Sequence, residues 1–310
     1  MPGMPVSTHS DFNGATGPTQ VTPSLLRDWP LPAPGEDKYS RGAVLIIGGA
    51  RTTPGATVLA GIAALRAGAG KITLAVAESV AVQVGVALPE CGAVGLPETA
   101  DGSVTGEGLD LISRYLERAD AVLVGPGLDD PDLAGELLTR LLEREELRGE
   151  DPAIVLDAFA LGGLVKLKGM LEPWRGRLIL TPNPTEAGVL LGRDVDHLET
   201  DVAVVAEQYG AVVSCQGVIA RPPGDGPGDP ELWKITTGYG GLGTSGSGDV
   251  LAGAITGLRA RGTSGAQAAC WGTHLHAAAA DRLASKLGPL GFLARELADE
   301  LPALMLELNT

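Results

Sequence analysis

Short aliphatic runs alternate with longer Ala/Leu-rich stretches along most of the chain. The short runs are continuous and rich in β-branched residues, which is typical of strands buried on both faces of a sheet. They lie at residues 43–47, 71–76, 121–124, 153–156 and 178–180. The longer stretches predict helices over residues 54–69, 106–117, 131–145 and 199–209. Strands separated by helices imply right-handed βαβ crossovers, and therefore a parallel sheet with helices on both faces.

The pattern changes after the apolar run at residues 211–214. Residues 217–220 and 232–235, joined by a Pro/Gly/Asp-rich turn at 222–230, predict an antiparallel hairpin at one edge of the sheet. Further helices are predicted at residues 249–261, 264–287 and 292–308. The predicted fold class is therefore α/β, with three layers, a mostly parallel central sheet, helices on both of its faces and an antiparallel edge hairpin.

Residues 1–20 are rich in Ser, Thr, Gly and Pro without periodicity, so they predict a mobile N-terminal tail. The regular alternation that follows predicts a single domain over residues 21–310, since no internal repeat is evident. Its core must consist mainly of Ala, Val, Leu and Ile, because the chain has only 3 Phe, 4 Tyr and 4 Trp. The 45 glycines indicate close-packed layers and tight turns between strands and helices.

Composition and charge exclude several classes of function. The formal net charge is −15, so the basic surface that a nucleic-acid-binding protein needs is not evident. No apolar run approaches the roughly 18 residues of a membrane span, and the polar N-terminus is unlike a signal peptide. Cys91, Cys215 and Cys270 are widely spaced, which fits a reducing compartment. The chain is expected to be a cytoplasmic enzyme that binds neither nucleic acid nor membranes.

Gly-rich or polar segments follow several predicted strands, at the sheet edge where ligands of such folds bind. These segments are residues 48–51, 125–127, 157–158 and 181–186. A site built from strand-end loops would use glycines of this kind for close backbone approach, together with polar or acidic side chains. The alternative is that the glycines serve only as packing turns, and this alternative is favoured for the Gly-Pro-Gly sequence at 125–127 by itself.

The strongest local signal is the glycine-rich segment at residues 243–253, which leads directly into an Ala/Leu-rich helix. The first amides of this helix, at Gly246, Ser247 and Gly248, would converge on one point and could hold a phosphate group. Asp249 lies in the first turn, where the helix dipole would keep it ionised and where it could take a proton from an attacking hydroxyl group. A Ser/Asp helix cap would explain Ser247 or Asp249, but not the surrounding glycines.

Two familiar nucleotide motifs do not fit this chain. The glycines at 243–248 are not followed by Lys-Ser/Thr, so the segment is not a Walker A loop. Gly48-Gly49 lacks the second and third glycines of the dinucleotide fingerprint, which disfavours a Rossmann dehydrogenase.

The segment Asn183-Pro184-Thr185-Glu186 is the second informative cluster, and two interpretations are open. Glu186 could hold Mg²⁺ through water near phosphate oxygens, because hard cations prefer oxygen ligands and keep their waters. Alternatively, the segment is a capping-box turn at the start of a helix. His274 and His276 are two residues apart on a predicted helix, so they face different sides and are interpreted as packing or surface residues.

The glycine-rich segment with Asp249, preceded by Asn183-x-x-Glu186, resembles the pattern of the ribokinase-like superfamily. Within it, the chain resembles the ADP/ATP-dependent NAD(P)H-hydrate dehydratases, a metabolite-repair family. The resemblance extends over about residues 20–308. The stretches that carry it are residues 38–42, 48–49, 54–56, 65–71, 125–128, 156–158, 180–186, 243–253, 275–276 and 291–296.

The resemblance implies a lyase reaction on a damaged cofactor. The S-epimer of NADH or NADPH hydrated at the nicotinamide ring would be phosphorylated on its ring hydroxyl by ADP or ATP. Phosphate would then leave and the double bond would re-form. Asp249 would activate the hydroxyl, while the amides of Gly246, Ser247 and Gly248 would stabilise the transferring phosphoryl group. ADP or ATP is therefore expected as co-substrate, and Mg²⁺ as cofactor.

Further site residues are implied by the resemblance alone. Those expected to line the hydrate are Ala56, Gly127, Asn183 and Asp249. Those expected to line the adenine nucleotide are Gln216, Gly217 and Gly248. The sequence departs from the family at two of these positions. Asn183 stands where the family commonly has His, and a short Cys-Gln-Gly-Val turn at 215–218 stands where it commonly has Lys-Gly and a longer turn.

Two rival functions share the features described so far. One is a small-molecule kinase of the same superfamily, acting on a sugar, thiazole or pyrimidine alcohol, whose product keeps its phosphate. The other is a non-catalytic nucleotide-binding protein. The resemblance also implies a separate NAD(P)H-hydrate epimerase as pathway partner and a homo-oligomer, commonly a tetramer. The Ala-rich stretch at residues 266–283 could pack against another subunit, although burial within the domain explains it equally well.

Overall fold

A computed structural model describes residues 17–33, 35–149, 152–223, 230–238 and 240–309 of the chain. The strands are β1 (Thr19–Gln20), β2 (Ala43–Ile47), β3 (Lys71–Ala77), β4 (Cys91–Leu96), β5 (Ala121–Val124), β6 (Ala153–Leu156), β7 (Leu178–Leu180), β8 (Val212–Cys215), β9 (Val218–Arg221) and β10 (Glu231–Lys234). The α-helices are α1 (Pro23–Asp28), α2 (Pro54–Arg66), α3 (Ala81–Ala87), α4 (Ser113–Leu116), α5 (Pro131–Leu142), α6 (Phe159–Leu164), α7 (Pro184–Leu191), α8 (Leu198–Tyr209), α9 (Ser247–Ala260), α10 (Gly265–Leu287) and α11 (Ala294–Asn309).

The strands form a single sheet in the order β1-β10-β9-β8-β7-β6-β5-β2-β3-β4. All neighbours from β4 to β8 run parallel, whereas β9 pairs antiparallel with both β8 and β10. In the centre, Leu45 of β2 lies opposite Val122 of β5, and Val122 lies opposite Ile154 of β6. The predicted mostly parallel sheet with an antiparallel edge hairpin is confirmed. The carboxyl ends of β2, β5, β6, β7 and β8 consequently meet at one edge of the sheet.

Alternate side chains of the central strands enter two separate apolar clusters, one on each face of the sheet. Ile46, Leu123 and Val155 belong to the cluster that also contains residues of α2, α9, α10 and α11. Leu45 and Val122 belong to the cluster formed with α5, α6, α7 and α8. The three predicted layers and their largely Ala, Val, Leu and Ile core are therefore confirmed.

Helix α9 packs against α2 at close range, because glycines of α9 face the backbone of α2. A Cβ atom built on Gly253 would lie 2.1 Å from the carbonyl oxygen of Ala60, and one on Gly257 would lie 2.4 Å from that of Ala64. Any side chain at either glycine would push the two helices apart. This contact therefore holds α9 at its position over the sheet. No helix within the described ranges has the length and hydropathy that a membrane-spanning segment requires.

The structure differs from the sequence-based prediction in several elements. The predicted helix at 106–117 is wrong, because that stretch is a 3-10 turn at Leu109–Ile112 followed by the short helix α4. Strand β4 was not predicted, since this edge strand contains two glycines and several partly exposed positions instead of a continuous aliphatic run. Residues 224–229 of the predicted turn lie outside the described residues.

The chain already pairs with the sheet just before residue 21. Residues 1–16 of the predicted tail lie outside the described residues. Thr19, however, pairs in parallel register with Trp233 of β10, and the amide of Val21 donates to the carbonyl oxygen of Lys234 at 2.9 Å. Backbone pairing with the outer edge of β10 therefore orders the chain from before residue 21.

Candidate active site

The loops that follow β2 and β5 are joined by hydrogen bonds. The carbonyl oxygen of Gly127 accepts from the amide of Ala50 and from Oγ1 of Thr53, both at 2.8 Å. Gly127 has φ +71°, and a Cβ atom built on it would lie 2.3 Å from the carbonyl oxygen of Thr53 and 3.1 Å from Cβ of Ala56. The structure thus brings Ala56 and Gly127 together. It also shows that packing alone requires glycine at position 127.

The start of α9 combines a glycine that the backbone requires with one that faces open space. Gly246, the N-cap, has φ +88°, and a Cβ atom on it would lie 2.5 Å from Cδ1 of Leu59. A Cβ atom on Gly248, in contrast, would meet nothing within 4 Å among the described residues. No side chain among the described residues caps the first amides of α9 by a hydrogen bond. The amide of Ser247 donates to the carbonyl oxygen of Thr244 at 3.2 Å, whereas Gly248 is exposed at the helix start, so an anion could reach its amide.

Asp249 lies in the first turn of α9, beside these amides. Its Oδ2 atom is 3.9 Å from the Cβ position of Gly246. Burial raises the pKa of Asp249 to about 6. Desolvation disfavours the charged form, yet a carboxyl group with a pKa of about 6 is still mostly ionised at pH 7. A carboxyl group that titrates near neutral pH suits a general base.

Asp157 is a buried carboxyl group at the same edge, directly after β6. It is 5% exposed, and its Oδ1 accepts a hydrogen bond from Oγ1 of Thr181 at 2.8 Å. Burial, and then the negative charges of Asp249 and Glu186, raise the pKa of Asp157 to about 7. Sequence analysis noted this acidic residue after a strand but assigned it no role. The available signal was a carboxylate directly after a fully aliphatic strand.

Asn183 and Glu186 form a complete capping box at the start of α7. The side-chain oxygen of Asn183 accepts from the amide of Glu186 at 2.9 Å, and Oε2 of Glu186 accepts from the amide of Asn183 at 2.8 Å. Burial raises the pKa of Glu186, although its bond to the Asn183 amide opposes that shift. The structure thus contains the capping box that one of the two interpretations predicted. Asn183 is nevertheless exposed at the sheet edge.

Gln216 and Gly217 form the two-residue turn between β8 and β9. Their φ values are +46° and +82°, which fit the type I′ turn that right-handed strand twist favours. The carbonyl oxygen of Gly217 accepts from the amide of Ile235 at 2.8 Å. Burial, and then the charge of Glu186, raise the pKa of Cys215 to about 12, which places the start of this turn near α7. The turn therefore lies at the same edge as the other candidate residues.

The two histidines of α10 are both buried, which excludes the surface part of their interpretation. Nε2 of His276 lies 3.0 Å from Oγ and 2.9 Å from the carbonyl oxygen of Ser247, at the start of α9. Sequence reasoning missed this contact because the two residues are 29 positions apart and no spacing rule connects them. His274 does not share this contact, so the pair divides into one residue beside the site and one in the packing.

The acidic residues around the site do not form a direct metal cage. Within the described ranges, no group of three or more His, Cys, Asp or Glu residues could hold a metal ion. The charges of Glu186 and Asp249 both raise the pKa of Asp157, so the three carboxyl groups share one electrostatic environment. Such a donor set fits Mg²⁺, which keeps most of its waters and uses one or two carboxylates together with substrate phosphates.

Comparisons with known proteins agree with this geometry. An NAD(P)H-hydrate dehydratase family model matches residues 44–303. An ADP-dependent (S)-NAD(P)H-hydrate dehydratase of Xanthomonas campestris is 40% identical over 296 residues, covering 94% of this chain and 98% of that protein. A bifunctional NAD(P)H-hydrate repair enzyme of Moorella thermoacetica is 36% identical, and the chain spans about half (50%) of its length while 86% of this chain is covered.

Solved structures with a similar fold include a member of the same family. The Bacillus subtilis ADP/ATP-dependent NAD(P)H-hydrate dehydratase co-crystallised with ATP and Mg²⁺ has a TM-score of 0.72 and 26% identity, covering 95% of this chain and 100% of that one. A ribokinase-like superfamily protein of Enterococcus faecalis has a TM-score of 0.74 at 21% identity, covering 95% and 98%, which shows the fold alone. Fold and site thus define a ribokinase-like α/β enzyme. Within that class, the chain belongs to the NAD(P)H-hydrate dehydratase family.

Proposed function

We propose that this protein dehydrates the S-epimer of hydrated NADH or NADPH at the expense of ADP or ATP, and so restores NAD(P)H as a metabolite-repair enzyme. The observation that carries the proposal is the start of α9. There, a half-buried carboxyl group with a pKa of about 6 stands beside helix amides that no side chain caps within the described residues. Family membership supplies the substrate, and this geometry supplies the chemistry that the substrate requires.

Asp249 accepts the proton of the hydroxyl group on the nicotinamide ring as that oxygen attacks the terminal phosphorus of the nucleotide. The bond from this phosphorus to the bridging oxygen breaks, and AMP or ADP leaves. The amides of Gly246, Ser247 and Gly248 stabilise the charge on the transferring phosphoryl group. The carbon–oxygen bond then breaks, inorganic phosphate departs, and loss of a ring proton re-forms the double bond. The sum is hydrate and nucleotide converted into NAD(P)H, the shorter nucleotide, phosphate and a proton.

The remaining candidates divide between the two substrates. Ala56, Gly127 and Asn183 line the hydrate, a role supported by the close contact of Ala56 with the Gly127 position. Gln216, Gly217 and Gly248 line the adenine nucleotide. The open space at Gly248 supports its part in this role, because it leaves room for a phosphate group next to the backbone.

Mg²⁺ is the proposed cofactor. Glu186 would hold it through water, and Asp157 would add negative charge from the neighbouring strand end. When bound, the ion neutralises charge on the nucleotide phosphates. Asp157 and Glu186 both have raised pKa values in the protein alone, so a nearby cation would favour their ionised forms.

The wider setting is proposed on the same basis. Residues 21–310 act as one domain in a cytoplasmic enzyme, and copies of the chain assemble as a homo-oligomer, with a tetramer as the expected state. A separate NAD(P)H-hydrate epimerase supplies the S-epimer, because a site specific for one epimer leaves the other unused.

The experiment that tests the function supplies purified hydrated NADH with ADP or with ATP, and follows the near-ultraviolet absorbance of reduced nicotinamide. Recovery of NADH with stoichiometric release of inorganic phosphate is the expected result. Phosphorylation of an alcohol with no recovery of NADH from either nucleotide would make the protein a small-molecule kinase. Nucleotide binding without any turnover would make it a binding protein.

A further inference from the structure

His276 lies against the start of α9 and has no part in the reaction as described so far. Its Nε2 atom is 2.9 Å from the carbonyl oxygen of Ser247 and 3.0 Å from the hydroxyl oxygen of the same residue. His276 is 5% exposed and Ser247 is 4% exposed. The contact therefore joins α10 to the first residue of α9 in a place that bulk water does not reach.

These two distances determine the tautomer of the imidazole ring. A carbonyl oxygen can only accept a hydrogen bond, so Nε2 must carry a proton. Burial lowers the pKa of His276 to about 4, so the ring is neutral at physiological pH and Nδ1 carries no proton. The Ser247 hydroxyl then shares the same N–H as a second acceptor, and its own proton is directed away from His276.

The carbonyl group of Ser247 belongs to the same planar peptide unit as the amide of Gly248. Fixing the direction of this carbonyl group therefore fixes the direction of the Gly248 N–H group. Within the described residues, no side chain caps α9, and Gly248 faces open space. His276 is thus a side chain that holds the first peptide unit of α9 from behind.

We propose that His276 is a positioning residue for phosphoryl transfer: its Nε2–H group holds Ser247 and thereby aims the Gly248 amide at the transferring phosphoryl group. The inference rests on the function proposed above. It assigns a task to a histidine that never touches the substrate, and it requires the neutral Nε2–H tautomer.

The chain offers a matched control in His274. This residue lies two positions earlier on α10, is also 5% exposed, and has its pKa lowered by burial in the same way. It lines a cavity of about 360 Å³ together with Thr237 and Asp281, whereas the α10 side chain that is hydrogen-bonded to Ser247 is that of His276. A change at His274 therefore disturbs the packing of the same helix without disturbing the start of α9.

The test compares His276→Ala, His276→Gln and His274→Gln in the dehydratase assay, with thermal unfolding of each variant. In His276→Ala, kcat should fall roughly 100-fold, because a small misplacement of a catalytic donor has that effect. KM for ADP should change by less than about threefold, since ground-state binding is retained. In His276→Gln, the side-chain amide can still donate to Ser247. The kcat of this variant should therefore be at least about tenfold higher than that of His276→Ala.

The control His274→Gln should keep kcat within about threefold of the wild type even where its unfolding temperature falls. Equal kcat losses in His276→Ala and His276→Gln, or an equal loss in His274→Gln, would overturn the proposal. So would an unchanged kcat in His276→Ala.

A measurement on the wild type makes the inference independent of folding in the variants. The chain has 4 histidines, so nitrogen-15 NMR of the imidazole rings is tractable. One buried ring should be the neutral Nε2–H tautomer and should resist protonation down to about pH 5. An Nδ1–H tautomer at His276, or a ring that titrates near neutral pH, would refute the proposal.

The same spectra separate this inference from the proposed function. If the wild type forms no NADH, the proposed function fails. The positioning role is then decided by the Gly248 amide signal, which should shift on addition of inorganic phosphate in the wild type and in His276→Gln. Absence of that shift in the wild type, or a Gly248 amide signal in His276→Ala that matches the wild type both in position and in the size of its phosphate shift, would count against His276.

Discussion

Helices α7 and α9 begin at the same edge of the sheet, yet their first turns are built in opposite ways. In α7, Asn183 and Glu186 satisfy each other's backbone amides in a complete capping box. In α9, the N-cap is Gly246 with φ +88°, and no side chain among the described residues caps the first amides. One helix start is closed by its own side chains, and the other is open.

The difference indicates which helix start can offer backbone amides to a phosphate group and which can offer only side chains to a ligand. Amides bonded to a capping box have no donor left for a phosphate group, whereas the amide of the exposed Gly248, at a helix start that no described side chain caps, can bind one. The acidic residues follow the same division. The carboxylate of Glu186 is bonded to its own helix start, while that of Asp249 stands beside amides that are open.

The largest expected effect is that of Asp249→Asn on the open helix start. Loss of the general base should lower kcat by about 10²–10⁴-fold, while the amides still bind nucleotide. Turnover and ADP affinity, measured on the same preparation, check this prediction. The matched control is Asp132→Asn, which changes an exposed aspartate in the first turn of α5 and should leave turnover unaltered. Comparable turnover in Asp249→Asn and wild type would contradict the assignment.

The two glycines of the open start should respond differently to alanine. Gly246→Ala forces an alanine into a left-handed conformation against Leu59, and should cost about 1–3 kcal/mol of unfolding free energy. Gly248→Ala meets open space and should cost little stability. It should nevertheless lower kcat/KM by roughly 10²-fold, because its methyl group enters the phosphoryl position. Denaturant unfolding and kinetics of both variants test the contrast, which fails if the two effects are reversed.

The charges of Asp249 and Glu186, one from each helix start, contribute to the raised pKa of Asp157, and this raised pKa predicts a pH dependence of stability. Because the folded-state pKa values of Asp157 and Asp249 are about 7 and about 6, above the usual 3.8, the folded state binds more protons across that window. Each group therefore favours folding at low pH, and this contribution is lost as the pH rises towards 7. The free energy of unfolding of Asp157→Asn, relative to that of the wild type, should therefore increase by on the order of 1–3 kcal/mol when the pH is raised from 4.5 to 8.

Urea unfolding at both pH values measures this difference. The comparison uses the change between variant and wild type, since other carboxyl groups such as Asp201 have lowered pKa values and act in the opposite direction. An identical pH dependence in the two proteins would contradict the buried, proton-holding state of Asp157.

The smallest expected effect concerns the closed helix start. Asn183→Ala removes the cap of α7 and should cost about 0.5–2 kcal/mol of unfolding free energy. Ser264→Ala removes the comparable cap of α10, where the serine hydroxyl accepts from the amide of Gln267, and should cost a similar amount. If Asn183 also lines the hydrate, its variant alone should raise KM for the hydrate. Equal KM values in both variants would leave Asn183 with a capping role only.

Much of the fold followed from periodicity. The central strands are short aliphatic runs buried on both faces, and such runs are distinctive in sequence. Edge strands were harder to predict, because β1 and β4 depend on a neighbour for their backbone bonds and show no continuous aliphatic pattern. The stretch 106–117 misled the prediction because apolar residues at helical spacing there serve a 3-10 turn.

For the site, the sequence alone determined the local features: the uncapped glycine-rich start of α9, the Asn-x-x-Glu turn of α7, and the residue types that follow each strand. These features depend on neighbours within a few positions, so they are visible in a linear pattern. Only the tertiary structure decided what those features meet. Burial raises the pKa of Asp249, Asp157 joins the site from β6, and His276 reaches Ser247 across 29 residues. Desolvation and long-range contacts arise from packing, and no local spacing encodes them.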